Sequence, residues 1–280
     1  MQMFHELRHF LLVVEHGTFT EAARQAGLSQ PALSASIRRL EEQLGARLLH
    51  RGPGGARPTA AGDALLAPAR RSLAAVEDGR RAVAEVEGLT AGEVRLGAGP
   101  TACTYLLPPA LAAFRAAHPG IRFRLTEAHS PVVWAALLAG DIDLGVVSDV
   151  SAEQQSGATV EDWQADELIV VGPPGPAPPE WVCFPRPSAL RTVLERAWPD
   201  ADVVMELGSI AAVKGNVRAG VGRALVSRAA VERDLQQGRL RDLGEPPIHR
   251  RFVLAHRGVE QLPPAAAALR LALLSGGTSS

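Results

Sequence analysis

Gln30, Ser34, Ser36, Arg38 and Arg39 fall on one face of a short segment whose other face carries Leu33, Ile37, Leu40 and Leu44. The apolar steps of four, three and four are those of a helix with one buried stripe. An amide, hydroxyls and guanidiniums on the opposite face hydrogen-bond base edges and phosphates in a DNA groove. Ser29 suits the N-cap and Pro31 the first turn, where a missing N–H costs nothing. Upstream, Thr18 or Thr20 can cap a helix containing Ala22, Ala23 and Ala26, small enough for a second helix to cross closely, and Gly27 supplies the turn. Two short helices joined this way form a helix-turn-helix, which sets its second helix in the major groove. A helical hairpin buried in a core has the same spacing, so the next segment matters.

That segment is a short apolar run, Arg47-Leu-Leu-His-Arg51, followed by Gly52-Pro-Gly-Gly-Ala-Arg57. A glycine-rich loop with arginines at both ends, directly after a reading helix, has the form of a wing. Arg51 and Arg57 are then placed for phosphates or a narrow minor groove, against the alternative of two solvated loop arginines.

Three runs together, Phe4 to Ala23, Leu28-Ser-Gln-Pro-Ala-Leu-Ser34 and Arg38 to Leu49, resemble the N-terminal domain of LysR-type transcriptional regulators. The resemblance implies that Thr18, Gln30, Pro31, Ser34 and Arg38 sit where the family touches DNA, in a DNA-binding domain spanning residues 1–58. The two positions after Ser34, commonly base-reading in the family, are Ala35 and Ser36 here. Direct readout is therefore lean, with more left to Gln30, the wing and DNA shape.

Composition fits a cytoplasmic protein with room for two cores: 280 residues, 46% hydrophobic, net charge −1. Such a chain is no bulk polycation, so DNA affinity must come from local charge. Up to Pro58 seven arginines face five glutamates, and dimerisation would double that balance. Phe10 to Val14 is too short for a signal peptide, and no apolar run is long enough to span a membrane. Cys103 and Cys183 do not make a disulfide framework, no His/Cys cluster has metal-ligand spacing, and no cofactor is expected.

Residues 59–89 are rich in Ala, Arg and Glu. Leu66, Ala69, Leu73, Val76 and Val83 follow a heptad-like pattern that Arg80 interrupts, which predicts a long helix pairing with a copy of itself. In the family resembled, such a linker is the dimer interface. Pro68 predicts a bend or restart.

From residue 90 onward strands and helices alternate, predicting a parallel, doubly wound α/β sheet in two lobes, about 90–164 with 246–280, and about 165–245. Two crossings between lobes make a cleft, where small ligands sit. Gly92-Glu-Val-Arg-Leu-Gly97, His118-Pro-Gly120, Gly140-Asp-Ile-Asp-Leu-Gly145 and Glu206 to Lys214 resemble the family's effector domain, a periplasmic-binding-protein-like fold, with the flavour of the CysL-like and CbbR-like branch. Loops at the C-terminal strand ends, with helix N-termini that favour anions, nominate Pro100, Thr101, Thr104, Ser130, Ser148 and Ser209 as effector contacts, although each hydroxyl could simply cap a helix. The proline-stiffened stretch from Pro173 to Pro179 is short, which predicts a small helix lost from the second lobe, and Arg186 to Arg191 is bulkier than the family's turn.

The expected function is a dimeric or tetrameric regulator that binds promoter DNA and a small-molecule effector, with RNA polymerase a further candidate partner. The rivals are a ligand-independent architectural DNA binder and an enzyme. Against the enzyme, neither Gly-x-Ser-x-Gly nor Gly-x-Gly-x-x-Gly occurs, leaving Cys103 as the one candidate nucleophile or redox switch.

Overall fold

The computed structural model describes residues 2–52, 55–86, 92–148 and 157–276. Leu89, Thr90 and Ala91, where the linker is expected to end, lie outside them. The chain forms two compact units, Met1–Ala84 and Glu85–Leu137 with Ile142–Ser280; Leu138–Asp141 group with the first.

In the first unit, α1 (Gln2–His16), α2 (Phe19–Ala26) and α3 (Gln30–Leu44) precede a hairpin of β1 (Leu49–Gly52) and β2 (Gly55–Pro58), then α4 (Ala60–Val86). The helix starts are those the sequence predicts. Thr18 Oγ1 accepts the Glu21 N–H, Gly27 caps α2 at φ 66°, and Ser29 Oγ accepts the Ala32 N–H at 3.4 Å. Phe10, Val13, Ala22, Ala23, Leu33, Ile37, Leu40 and Leu48 form the core. The stripe on α3 ends at Leu40, one turn earlier than predicted: Leu44 closes the helix against the Gly45 cap and is 43% exposed.

No restart occurs at Pro68, because α4 is one helix of 27 residues. Pro68 and Ala64 are both exposed, so water can serve the carbonyl that the proline leaves unpaired. Thr59 starts this helix: its hydroxyl donates to Arg47 O at 2.6 Å and accepts the Gly62 N–H at 3.1 Å.

The second unit begins with β3 (Glu93–Ala98), a π turn over Ala102–Leu106, α5 (Leu107–Ala117), β4 (Arg122–Glu127), α6 (Ser130–Ala139) and β5 (Leu144–Ser148). A long β6 (Thr159–Gly172) follows, then β7 (Trp181–Cys183), α7 (Ala189–Ala197), β8 (Val203–Glu206), α8 (Ile210–Arg218), β9 (Ala224–Ser227), α9 (Arg228–Gln236), β10 (Arg241–Asp242), β11 (Ile248–His256) and α10 (Pro264–Gly276). The parallel expectation holds within each lobe: β3 pairs in parallel with β4 and β5, and β7 with β8. The crossings differ. β6 and β11 are antiparallel to each other, and β6 carries β9 and β10, also antiparallel, on its second half. Between β6 and β7 the stretch 173–180 forms no helix, as its prolines predict.

Each lobe has its own core. Leu96, Leu107, Leu144, Leu254 and Leu269 centre one, and Leu168, Trp181, Val213, Val226 and Val231 the other. Asp143, 1% exposed, accepts the Arg95 backbone N–H at 2.8 Å and its guanidinium at 2.6 Å, fixing the start of β5 on β3.

Candidate functional site

On the first unit, Thr18, Gln30, Pro31 and Arg38 are exposed and Ser34 is half-buried. Thr18, Gln30, Pro31 and Ser34 lie at the starts of α2 and α3, where backbone N–H groups at the caps accompany the side chains, and Arg38 lies further along α3. Ser36 belongs elsewhere. It is 2% exposed and hydrogen-bonded to His9 Nδ1 at 2.7 Å, because its place on α3 turns it onto α1 rather than outward. Burial, with nearby His5, Arg8 and Arg39, lowers the His9 pKa. Arg39 is engaged as well, its half-exposed side chain donating through Nε to Glu6 at 3.0 Å, while Gln43 donates to the same carboxylate at 3.1 Å. Glu6 is 1% exposed, so a buried acid aligns α3 from behind.

The wing is fixed to α3 by Glu41, whose Oε1 accepts the N–H of Leu48 at 2.8 Å and of Leu49 at 3.3 Å. At its tip end Ala56 N–H donates to Gly17 O at 2.6 Å, and a Cβ on Gly55 would stand 2.3 Å from that oxygen. Arg57 is exposed on β2; Arg51 pairs with Ala56 in the hairpin, and its side chain lies outside the described residues. Wing and helix are thus one rigid surface carrying Arg38 and Arg57.

On the second unit, a cavity of about 340 Å³ opens between the lobes. Pro100, Thr101, Ser130 and Ser148 line it as predicted. Thr101 and Ser148 are each 5% exposed, and Ser130 Oγ donates to Ser148 O at 3.3 Å. Two nominated hydroxyls are not on the wall. Thr104 lies within the π turn, is exposed and does not line the cavity. Ser209 is exposed and caps α8, accepting the Ala212 N–H at 3.2 Å, while its neighbours Gly208 and Ile210 reach the cavity.

The sequence reading missed the residue that dominates the floor. Arg250, on β11, lines the cavity; its Nε donates to Asp166 Oδ2 at 2.7 Å and its Nη2 to Thr101 Oγ1 at 3.1 Å. Asp166, its register partner on β6, accepts the Ser227 hydroxyl at 2.7 Å. All four are buried, so a continuous polar chain joins the first lobe's Thr101 to the second lobe's Ser227 through the two crossing strands. An arginine in an antiparallel strand with an aspartate 84 residues away leaves no local signature; only the register brings them together.

Cys103 is not the nucleophile considered above. It is buried, its Sγ donates to Ala98 O at 3.4 Å, and burial, helped by Glu127, pushes its pKa up to about 11. A protonated, enclosed thiol is inert.

Residues 87–277 match the family profile described as LysR substrate binding domain, and residues 4–63 match that of the bacterial regulatory helix-turn-helix protein, lysR family. The SDS degradation transcriptional activation protein of Pseudomonas sp. is 49% identical over 125 residues, 45% of this chain and 41% of that protein, so the match spans under half of that relative. The HTH-type transcriptional regulator CbbR of Xanthobacter flavus is 31% identical over 286 residues, covering 94% of this chain and 85% of that one. Among solved structures, ArgP from Mycobacterium tuberculosis superposes with a TM-score of 0.73 at 17% identity, covering 98% of this chain and 97% of that one, a likeness of fold.

Proposed function

The chain belongs to the LysR family of bacterial transcriptional regulators, and from that premise we propose how its residues divide the work. It is a DNA-binding regulator with an effector-binding domain, not an enzyme. We assign Gln30, Pro31 and Ser34 to the floor of the major groove, Thr18 and Arg38 to the flanking phosphates, and Arg57 with Arg51 to the adjoining backbone or minor groove. The polar row along α3, held from behind by the ion pair of Arg39 with the buried Glu6, carries this assignment. With Ala35 in one reader position and Ser36 turned inward, sequence selection rests on Gln30 and on DNA deformability.

The inter-lobe cavity is the effector site in this reading. The effector changes the relative closure of the lobes, and that change alters how paired subunits hold and bend the operator. Val76 and Val83, 38% and 63% exposed on α4, continue the heptad pattern and support pairing of two copies through that helix. Among the described residues no helix is long and apolar enough to cross a membrane. The working site is then the bacterial cytoplasm, with RNA polymerase the natural recipient of the signal.

Footprinting of the intergenic DNA beside the gene, with full-length protein, tests the assignment. A protected, partly palindromic site that weakens with Gln30→Ala and Arg38→Ala supports it; protection without site preference would favour an architectural binder instead.

A further inference from the structure

We infer that the inter-lobe cavity takes a small amphiphilic monoanion, a carboxylate on an apolar body, and that Arg250 and Ser188 hold its charged end. This rests on the reading of the cavity as the effector site.

The charge of the wall comes first. Among the described residues lining the cavity, Arg250 and Arg196 are cationic, His129 is the one histidine and none is a carboxylate. Asp166, beneath Arg250, compensates one of the two; Arg196 is exposed and has no ion pair among the described residues. The wall thus keeps a modest positive balance with no acid to repel an anion, which a monoanion suits better than a dianion.

Two residues that are themselves more than nine-tenths buried each keep a polar atom without a hydrogen-bond partner among the described residues. Arg250 is 8% exposed, lies with its guanidinium carbon 4.7 Å from the centre of the Phe252 ring, and has both Nε and Nη2 engaged, while its Nη1 makes no hydrogen bond among the described residues. Ser188 is 6% exposed and occupies the N-cap of the nine-residue α7, yet its hydroxyl makes no capping bond. It lines the cavity beside Ala189 and Leu190, whose N–H groups belong to the unsatisfied first turn of that helix. A fixed guanidinium on one lobe's crossing strand and a free hydroxyl with helix N–H groups on the other are complementary to a carboxylate's two oxygens.

The remaining wall sets the body of the ligand. Phe184, Pro185, Pro187, Leu190, Val193 and Ile210 are apolar and come from the second lobe. A cavity of about 340 Å³ is near the small end of the range for small-molecule sites. A neutral apolar ligand would fill this space and leave the Arg250 Nη1 and Ser188 hydroxyl without partners, at the cost such groups carry when dry.

Calorimetric titration of the full-length protein with octanoate against octanamide, and benzoate against benzamide, separates charge from shape. The carboxylate of at least one pair is expected to bind about tenfold more tightly than its amide. Ser188→Ala should weaken that carboxylate about threefold to tenfold and the amide by less, because only the carboxylate loses a charge-assisted bond. Arg250→Lys, which keeps the charge but cannot fork between Asp166 and Thr101, should weaken it further; should that variant fail to fold, Ser188→Ala decides. Equal binding within both pairs, no carboxylate binding at millimolar concentration, or tighter binding of octyl phosphate at pH 8 would each overturn the inference. None of these outcomes affects a promoter footprint, whose absence would instead sink the regulator assignment.

Discussion

A Cβ placed on Gly62 of α4 would stand 2.2 Å from the carbonyl oxygen of Leu48. The linker helix therefore rests its first turn directly on the backbone that leads into the wing. Gly62→Ala must push one of them away, and backbone cannot yield as a flexible side chain does. The expected loss of stability is about 1–3 kcal/mol. Gly79 lies in the same helix with nothing within 4 Å, so Gly79→Ala should stabilise by about 0.5–1 kcal/mol. Denaturant unfolding of both variants measures the contrast, and equal effects would refute the close approach.

Glu41 ties the wing to the reading helix through two backbone N–H groups of buried Leu48 and Leu49. Glu41→Ala leaves both donors without an acceptor and should cost about 1–3 kcal/mol, with weaker operator binding as the wing loosens. Glu41→Gln retains an acceptor oxygen and should recover most of both. Thermal melts with gel-shift titrations read the two effects side by side.

Ser36 and Arg38 stand two residues apart and should behave oppositely. Arg38→Ala is expected to weaken DNA binding across sequences and to reduce the slope of log affinity against log salt by about 1. Ser36→Ala removes the His9 contact, costing about 1 kcal/mol of stability, and leaves operator affinity unchanged once the protein is folded. Binding isotherms at several salt concentrations would refute this if Ser36→Ala, rather than Arg38→Ala, changed the slope.

Glu161 supplies a pH test. Arg270 on α10 donates to both its oxygens, the Nε bond at 2.5 Å, and His256 Nε2 lies 3.0 Å away. The Arg270 hydrogen bonds foremost, then that of His256, hold its pKa below the ordinary 4.5. A depressed folded-state value means the unfolded chain takes up the proton first as pH falls. The stabilisation is full above the ordinary carboxylate range and disappears as pH drops through the folded value. Glu161→Gln should thus be less stable than wild type at pH 7, with the gap closing toward pH 3. Chemical unfolding across that range checks the sign.

Local patterning carried much of the fold. The caps at Thr18, Ser29 and Gly27, the apolar stripe through Leu33, Ile37 and Leu40, and the strand–helix alternation after Gly92 are short-range signals, and the elements stand close to where they were expected. What escaped depended on distant contacts. Ser36 looked outward on a simple wheel until His9, from another helix, claimed it. Strand β6 was legible only over Glu167 to Val171, because its first half, Thr159 to Asp166, is polar and gains its strand character from β11. Arg250 reads as one more charged residue in Arg250-Arg251 until Asp166 lies opposite. In the cavity, the strand-end rule found Pro100, Thr101, Ser130 and Ser148, while the π turn and the α8 cap removed Thr104 and Ser209.

The crossing between the lobes is a hydrogen-bonded ladder, β6 against β11 from Thr159–His256 to Leu168–Ile248, with an irregularity between Phe252 and Val253. Two separate cords would let the lobes swing and slide in any direction. A paired ribbon resists shear and in-plane bending and gives way most easily to torsion, most of all where its register slips. Arg250 and Phe252, beside that slip, are also cavity wall. A ligand in the cavity would therefore press beside the point where such a ribbon yields most readily to twist, and its occupancy would leave the domain as an angle.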